Sequence, residues 1–176
     1  LKITPIKQLT ITANYTYRFH QNRNTNRSTA LVYSQYPGVL ATYTGKGTAG
    51  EDSLTESVDS WVYNAANVFA TYEDTFKKNH HLTVMAGGNL EYSYRKDLET
   101  IGYNILTEDL NDFDLVGLNG DGIKEFMASG GQSEYALLGF FGRINYDYKG
   151  RYLFEVSGRY DGTSRFAKGS RWGLFP

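Results

Sequence analysis

The sequence predicts an all-β protein: an antiparallel transmembrane β-barrel segment of about six strands, an open curved sheet when taken alone. Three observations lead there. Stretches of about 10 residues sort with a step of two into an oily face and a wet face. The oily faces end in tyrosines, as in strands that anchor themselves in both interfacial zones of a bilayer. Short and long connections alternate along the chain, which is the asymmetry of outer-membrane barrels with short periplasmic turns and long extracellular loops.

Residues 1–4 read as the tail of a strand, turned by Pro5, Ile6 and Lys7. Leu9, Ile11, Ala13, Tyr15, Tyr17 and Phe19 then oppose Thr10, Thr12, Asn14, Thr16, Arg18 and His20. Residues 62–72 sort less cleanly, because Asn64 falls among Val62, Ala66, Val68, Ala70 and Tyr72. After a turn over 75–81, Leu82, Val84, Ala86, Gly88, Leu90, Tyr92 and Tyr94 oppose Thr83, Met85, Gly87, Asn89, Glu91, Ser93 and Arg95. The last hairpin is the clearest. Leu138, Phe140, Gly142, Ile144, Tyr146 and Tyr148 oppose Gly139, Phe141, Arg143, Asn145 and Asp147. Across Lys149, Gly150 and Arg151 the sorting resumes, with Tyr152, Phe154, Val156, Gly158 and Tyr160 against Leu153, Glu155, Ser157, Arg159 and Asp161. Between the hairpins lie polar connections over 21–60 and 96–133, rich in Asn, Thr, Ser, Gly and Asp. Both exceed the ~12–15 residues usual for structureless loops in compact soluble domains.

Composition favours β structure: 15 Tyr and 10 Phe stand against 2 Met, 3 Pro and no Cys, with 19 Gly. Without Cys there are no disulfides, thiolate metal sites or cysteine nucleophiles. A net charge of −1 gives no electrostatic case for nucleic acid or for anionic membrane surfaces. There is no apolar run of the roughly 18 residues a membrane helix needs, and no basic-then-apolar start resembling a secretion signal. The natural N-terminus is therefore expected upstream, and the end at Phe175 and Pro176 carries no terminal signature, so an internal fragment is expected.

Magnitudes set the register. Sliding the last two strands by one residue would turn Arg143, Asp147, Glu155 and Arg159 toward lipid. A basic side chain near the midplane costs about 2–4 kcal/mol there and an acidic one less. Several such penalties rival a protein's total stability of about 5–15 kcal/mol. The charged face is expected to look into a lumen.

From Ala136 onward, ALLGFFGRINYDYKGRYLFEVSGRYDGTSRFAKGSRWGLFP closely resembles the barrel of SusC/RagA-like TonB-linked outer-membrane transporters. FGRINYDY, RYDGTSRF and RWGLFP look like consecutive hallmarks of that family, and the lead-in ASGGQSEYALL fits as well. The segments PIKQLTITANYTY and DTFKKNHHLTVMAGGNLEY are similar to preceding hairpins of the same barrel. The resemblance implies a Gram-negative outer-membrane barrel of about 22 strands around a folded plug. It further implies engagement of TonB, a SusD-like lipoprotein as a lid, and active uptake of oligosaccharides or peptides. Residues 1–176 would be part of that barrel, with the plug and the remaining strands absent. Physics agrees, because an edge left open in hydrocarbon costs several kcal/mol per unpaired backbone group and the smallest usual barrel has about 8 strands. Missing sequence or further copies of the chain must complete the sheet.

Arg143, Asn145, Asp147, Glu155, Arg159 and Asp161 are the lumen-facing candidates, either bonding the plug in a structural network or meeting solute. Tyr146, Tyr148 and Tyr152 are expected at the periplasmic interface, and Tyr17, Phe19, Tyr94 and Tyr160 at the outer one. Arg165, after Gly162, Thr163 and Ser164, orders the outer end of its strand or meets ligand. Asn119, Asp121 and Gly122 suggest a calcium loop only superficially, since Gly117 and Ala128 would fill ligand positions. His80 and His81 are adjacent and diverge in extended geometry, which leaves a polar turn rather than an ion site. Tyr33, Tyr36, Tyr43 and Trp61, in or beside the first long connection, could stack on sugar rings, meet the lid or pack on one another. No nucleophile elbow or triad spacing appears, so neither an enzyme nor a cofactor is expected. The alternative is a soluble or surface-exposed β-domain that binds glycans through loop aromatics.

Overall fold

The computed structural model describes residues 1–29, 31–43 and 52–176. Its elements are β1 (Lys2–Ile6), β2 (Leu9–Ser28), β3 (Leu31–Tyr36), β4 (Val39–Tyr43), β5 (Ser53–Phe76), β6 (His80–Tyr103), β7 (Phe126–Tyr148), β8 (Tyr152–Thr163) and β9 (Trp172–Phe175). Two 3₁₀ turns, Phe113–Leu115 and Lys168–Ser170, are the only helical segments among the described residues. The sheet runs in the order β1-β2-β5-β6-β7-β8-β9, and β3 pairs with β4 in a separate hairpin. The seven-stranded sheet is therefore open, with β1 and β9 as its edges.

The strands are longer than the alternation suggests. β2, β5, β6 and β7 hold 20, 24, 24 and 23 residues, about twice the ~9–11 that a bilayer crossing takes. The expected connections over 21–60 and 96–133 are corrected accordingly, because β2 continues to Ser28, β5 begins at Ser53, β6 reaches Tyr103 and β7 begins at Phe126. Alternation of oily and wet residues records burial on one side, whereas backbone pairing continues wherever a neighbour strand is present. Pairing without one-sided burial leaves no period in the sequence. The β3–β4 hairpin did carry a signal, Pro37 before Gly38, and Gly38 has φ 82°. β9, with four residues, is too short to show any period.

The chain forms two compact units, Leu1–Phe19 with Trp61–Arg95 and Ser133–Pro176, and His20–Ser60 with Lys96–Gln132. In the second, Leu54, Ile105 and Val116 are buried together, with Phe113 and Leu115 packed against them. Asp112 accepts a hydrogen bond from the Asp114 N–H to cap the 3₁₀ turn that brings Val116 there. Beside that cluster's strands, Arg27 donates to Asp52 at 2.7 Å and to the Thr107 carbonyl at 3.2 Å. The first unit contributes none of the buried apolar side chains among those described; its oily side chains are half-buried or exposed.

Tight turns hold the hairpins of the first unit. Lys77 and Lys78 join β5 to β6 with φ of 51° and 62°, and Lys149 and Gly150 join β7 to β8 with φ of 58° and 64°. Paired left-handed residues of this kind match the right-handed strand twist. The Lys149 N–H donates to the Asn79 carbonyl at 2.8 Å, which ties the two turns together. The first turn falls at Lys7 and Gln8, so Pro5 sits inside the edge strand β1 rather than in the turn, where an edge tolerates its missing donor. Gly150→Val should destabilise the full-length protein by about 1–2 kcal/mol, read from denaturant unfolding, because a side chain is strained at that φ.

Candidate functional site

Each predicted face is set by the β7–β8 register, in which Phe140 pairs with Tyr160, Ile144 with Val156, Tyr146 with Phe154 and Tyr148 with Tyr152. Between them lie Gly139 with Asp161, Phe141 with Arg159, Arg143 with Ser157 and Asn145 with Glu155. Side chains of paired residues share a face, so the ladder collects all six charged-face candidates on one side. On the other side Phe140, Ile144, Phe154 and Val156 are 42–60% exposed.

The charged face resolves into two clusters. Arg159 grips Asp161 through Nε, 2.7 Å from Oδ1 and 2.6 Å from Oδ2, and its Nη2 donates to Asn89 Oδ1 on β6 at 2.9 Å. These groups crowd over Gly139, where a Cβ would collide with the carboxylate of Asp161 and the amide of Asn89. Only glycine leaves room there. Lower on the ladder Arg143 Nε lies 3.5 Å from Glu155 Oε1, and the Asn145 amide, oriented with its nitrogen toward Glu155, donates to Oε2 at 3.1 Å. Asp147 joins neither cluster. Its carboxylate accepts from the Gly150 N–H at 2.6 Å and holds the turn. Leu153, paired with Asp147, is an exposed apolar residue on this side.

Aromatic residues of this face extend the clusters. Trp61 and Tyr63 stack at 5.7 Å, Trp61 Nε1 donates to Ser93 Oγ at 2.8 Å, and Arg18 lies 6.0 Å from the Tyr63 ring. Trp61 thus stands in strand β5, with its indole hydrogen-bonded across to β6. Tyr33 and Tyr36 are exposed on the hairpin strand β3, whereas the side chain of Tyr43 lies outside the described residues. Arg165 rests on the Tyr135 ring at 4.0 Å, and its N–H bonds to Thr163 Oγ1 at 3.3 Å.

The opposite, oily face carries both groups of interface aromatics. At the β7–β8 turn Tyr148 stacks on Tyr152 at 6.4 Å, His80 Nδ1 lies 2.7 Å from the Tyr146 hydroxyl, and the His80 ring is 4.9 Å from Tyr148. His81 points elsewhere, to Thr75 at 3.0 Å and Glu73 at 3.3 Å. Toward the other end Tyr160 stacks on Trp172 at 4.8 Å, and Phe140 meets the same indole at 6.4 Å. Trp172 pairs with Gly162, and its ring lies over that glycine. Sequence reasoning missed Trp172 because its strand is so short, although RWGLFP held an aromatic on either side of Gly173. Tyr17 and Phe19 are more than half exposed on β2, and Tyr94 is half-buried on β6. Asn64, the polar residue among Val62, Ala66, Val68, Ala70 and Tyr72 on β5, accepts from the Tyr15 hydroxyl at 2.6 Å. Its polarity is satisfied within the face.

In the second unit Asn119 Oδ1 accepts from the N–H groups of Asp121 and Ile123, both at 3.0 Å, so its side chain closes a turn. No group of three or more metal-ligating side chains comes together among the described residues.

No protein-family profile matches the chain. It is similar to TonB-dependent receptor P26 of Formosa agariphila, 30% identical over 155 residues, covering 88% of this chain and 14% of that protein. TonB-dependent receptor SusC of Bacteroides thetaiotaomicron is 33% identical over 125 residues, covering 68% of this chain and 11% of that one. The chain thus spans about a seventh or less of the curated relatives it matches. In fold it follows a chain from the structure of the RagAB peptide transporter, with a TM-score of 0.78 and 21% identity over 98% of this chain and 18% of that one. A chain from the RagAB peptide importer in its open-open state matches equally, with a TM-score of 0.78. The resemblance to SusC/RagA-like TonB-dependent transporters therefore extends well beyond residues 136–176, and the fold is that of a β-barrel segment.

Gly139→Val should push the Arg159, Asp161 and Asn89 side chains apart. In the full-length protein we expect the Arg159→Gln and Asp161→Asn substitutions to be coupled by about 1 kcal/mol in a double-mutant unfolding cycle, and that coupling to vanish on the Gly139→Val background.

Proposed function

With a barrel segment of a SusC/RagA-like TonB-dependent receptor as premise, we propose that the chain is a stretch of wall in an outer-membrane active transporter of a Gram-negative bacterium. The intact molecule imports oligosaccharides or peptides, is energised through TonB and is covered by a SusD-like lipoprotein. The carrying observation is the oily face of the first unit. Phe140, Ile144, Phe154 and Val156, with Val68 and Leu90 on β5 and β6, stand exposed on a hydrogen-bonded sheet whose other face is ionic. A continuous apolar face of this extent is unfavourable in water and favourable against lipid tails.

On this reading Arg143, Asn145, Glu155, Arg159 and Asp161 look into the lumen and bond the plug or passing solute, while Asp147 holds the periplasmic turn. Tyr146, Tyr148 and Tyr152, with His80, form the periplasmic belt. Tyr17, Phe19, Tyr94 and Tyr160, joined by Trp172, form the outer one. Gly88 leaves room for the Phe140 ring, which would lie 3.4 Å from a Cβ at that position. The side chains supply binding and shape. The relatives are named as receptors and transporters rather than enzymes.

A pair of neighbouring substitutions tests the orientation. Ile144→Arg should cost the full-length receptor about 2–4 kcal/mol when unfolded from lipid vesicles, and Asn145→Arg on the opposite face about 0.5 kcal/mol or less. Equal costs, or a monodisperse receptor in buffer without detergent, would sink the membrane reading in favour of a soluble glycan-binding domain.

A further inference from the structure

The short turns of the first unit line up along one rim of the sheet. The Glu73 N–H donates to the Gln8 carbonyl and the Lys149 N–H to the Asn79 carbonyl, each at 2.8 Å, which sets the three turns side by side. Lys7, Lys77, Lys78, Lys149 and Arg151 stand exposed there, and among the described residues none of them pairs with a carboxylate. Three carboxylates share this end and count against them: Glu73, which lies 3.3 Å from His81, Asp74 and Asp147. Five cations against three anions leave the rim positive, although the chain as a whole carries a net charge of −1. Charge averaged over the whole chain hides this local excess.

The two faces divide the charges further. Glu73 and Asp147 alternate to the ionic side, so only Asp74 stands with the oily residues, where the Tyr72 hydroxyl donates to it at 3.2 Å. On that oily side Phe76 stacks on His80 at 6.0 Å, His80 lies 4.9 Å from Tyr148, and Tyr148 stacks on Tyr152 at 6.4 Å. The rings form a shelf that runs from one hairpin to the next. Lys149 Nζ lies 5.2 Å from the Tyr148 ring centre, which holds this ammonium at the margin of the shelf. A ring shelf edged by cations has the layered chemistry of a lipid boundary, with glycerol and acyl carbons beside the rings and phosphate beside the ammonium groups. A zwitterionic head group brings its own cation to its phosphate, so a positive rim favours a head group of net negative charge.

We infer that this rim is a docking surface for anionic phospholipid head groups, with Lys77, Lys78 and Lys149 meeting phosphate and the rings from Phe76 to Tyr152 meeting the glycerol and upper acyl chains. The inference rests on the membrane reading and adds which lipid borders the wall at its turn end. The test uses the full-length receptor in lipid vesicles, with Tyr152→Trp as a fluorescent reporter whose signal is the difference from the parent receptor. Brominated phosphatidylglycerol and brominated phosphatidylcholine are compared as quenchers. The anionic lipid should be favoured at the reporter about fivefold or more, the factor expected for one lysine at a charged surface. That preference should shrink when ionic strength rises about tenfold. Combining Lys77→Gln, Lys78→Gln and Lys149→Gln should bring the two lipids to parity, whereas Lys168→Gln, beyond the other end of β8, should leave the preference in place. Free glycerol phosphate should not displace the lipid. Equal quenching by both lipids, a preference that survives the triple substitution or high salt, or displacement by glycerol phosphate would each overturn the inference and leave the membrane reading standing. Absence of quenching by either lipid would overturn both.

Discussion

The register of the β7–β8 ladder is the constraint on which both faces depend. Arg143 opposite Ser157 and Ile144 opposite Val156 are consecutive pairs, so a slip of one residue would exchange ionic for oily side chains along the whole hairpin. The turn at Lys149 and Gly150 sets that register, and Asp147 pins the turn by accepting from the Gly150 N–H. Asp147, one of the six charged-face candidates, thus also braces the turn from which the ladder carrying the other five begins.

Given that register, the polar side of the first unit is a set of mutually satisfied pairs rather than a uniform charged surface. Arg159 is shared between Asp161 and Asn89, and Glu155 between Arg143 and Asn145. Gly139 is the empty space that allows the first of these clusters to form. Against this economy Arg165 stands out, with an aromatic ring beneath it and a pocket in front. The oily side has a complementary logic. Tyrosine hydroxyls at its margins find partners in His80 and Asn64, while the rings cover small residues such as Gly162 or stand free.

Much of this was legible in the residues, since alternation alone sorted Arg143, Asn145, Glu155, Arg159 and Asp161 from Phe140, Ile144, Phe154 and Val156. Less legible was where strands end. Ser53, Tyr103 and Phe126 mark the ends of β5, β6 and β7, outside the stretches that alternate, β3 and β4 were absorbed into a connection, and β9 was not read as a strand. Trp61 was read with the loop aromatics, although its indole is fixed to Ser93 on the neighbouring strand.

By itself the sequence determined which way each side chain points, because neighbours along an extended chain must face opposite sides. It thereby determined the fold class and the two chemistries of the sheet. Tertiary structure alone decided who meets whom: Asn89 with Arg159 from 70 residues away, Asn64 with Tyr15, and Trp172 with Tyr160. Such meetings depend on the stagger between strands far apart in the chain, and stagger comes from backbone pairing that leaves no mark in the residues it joins.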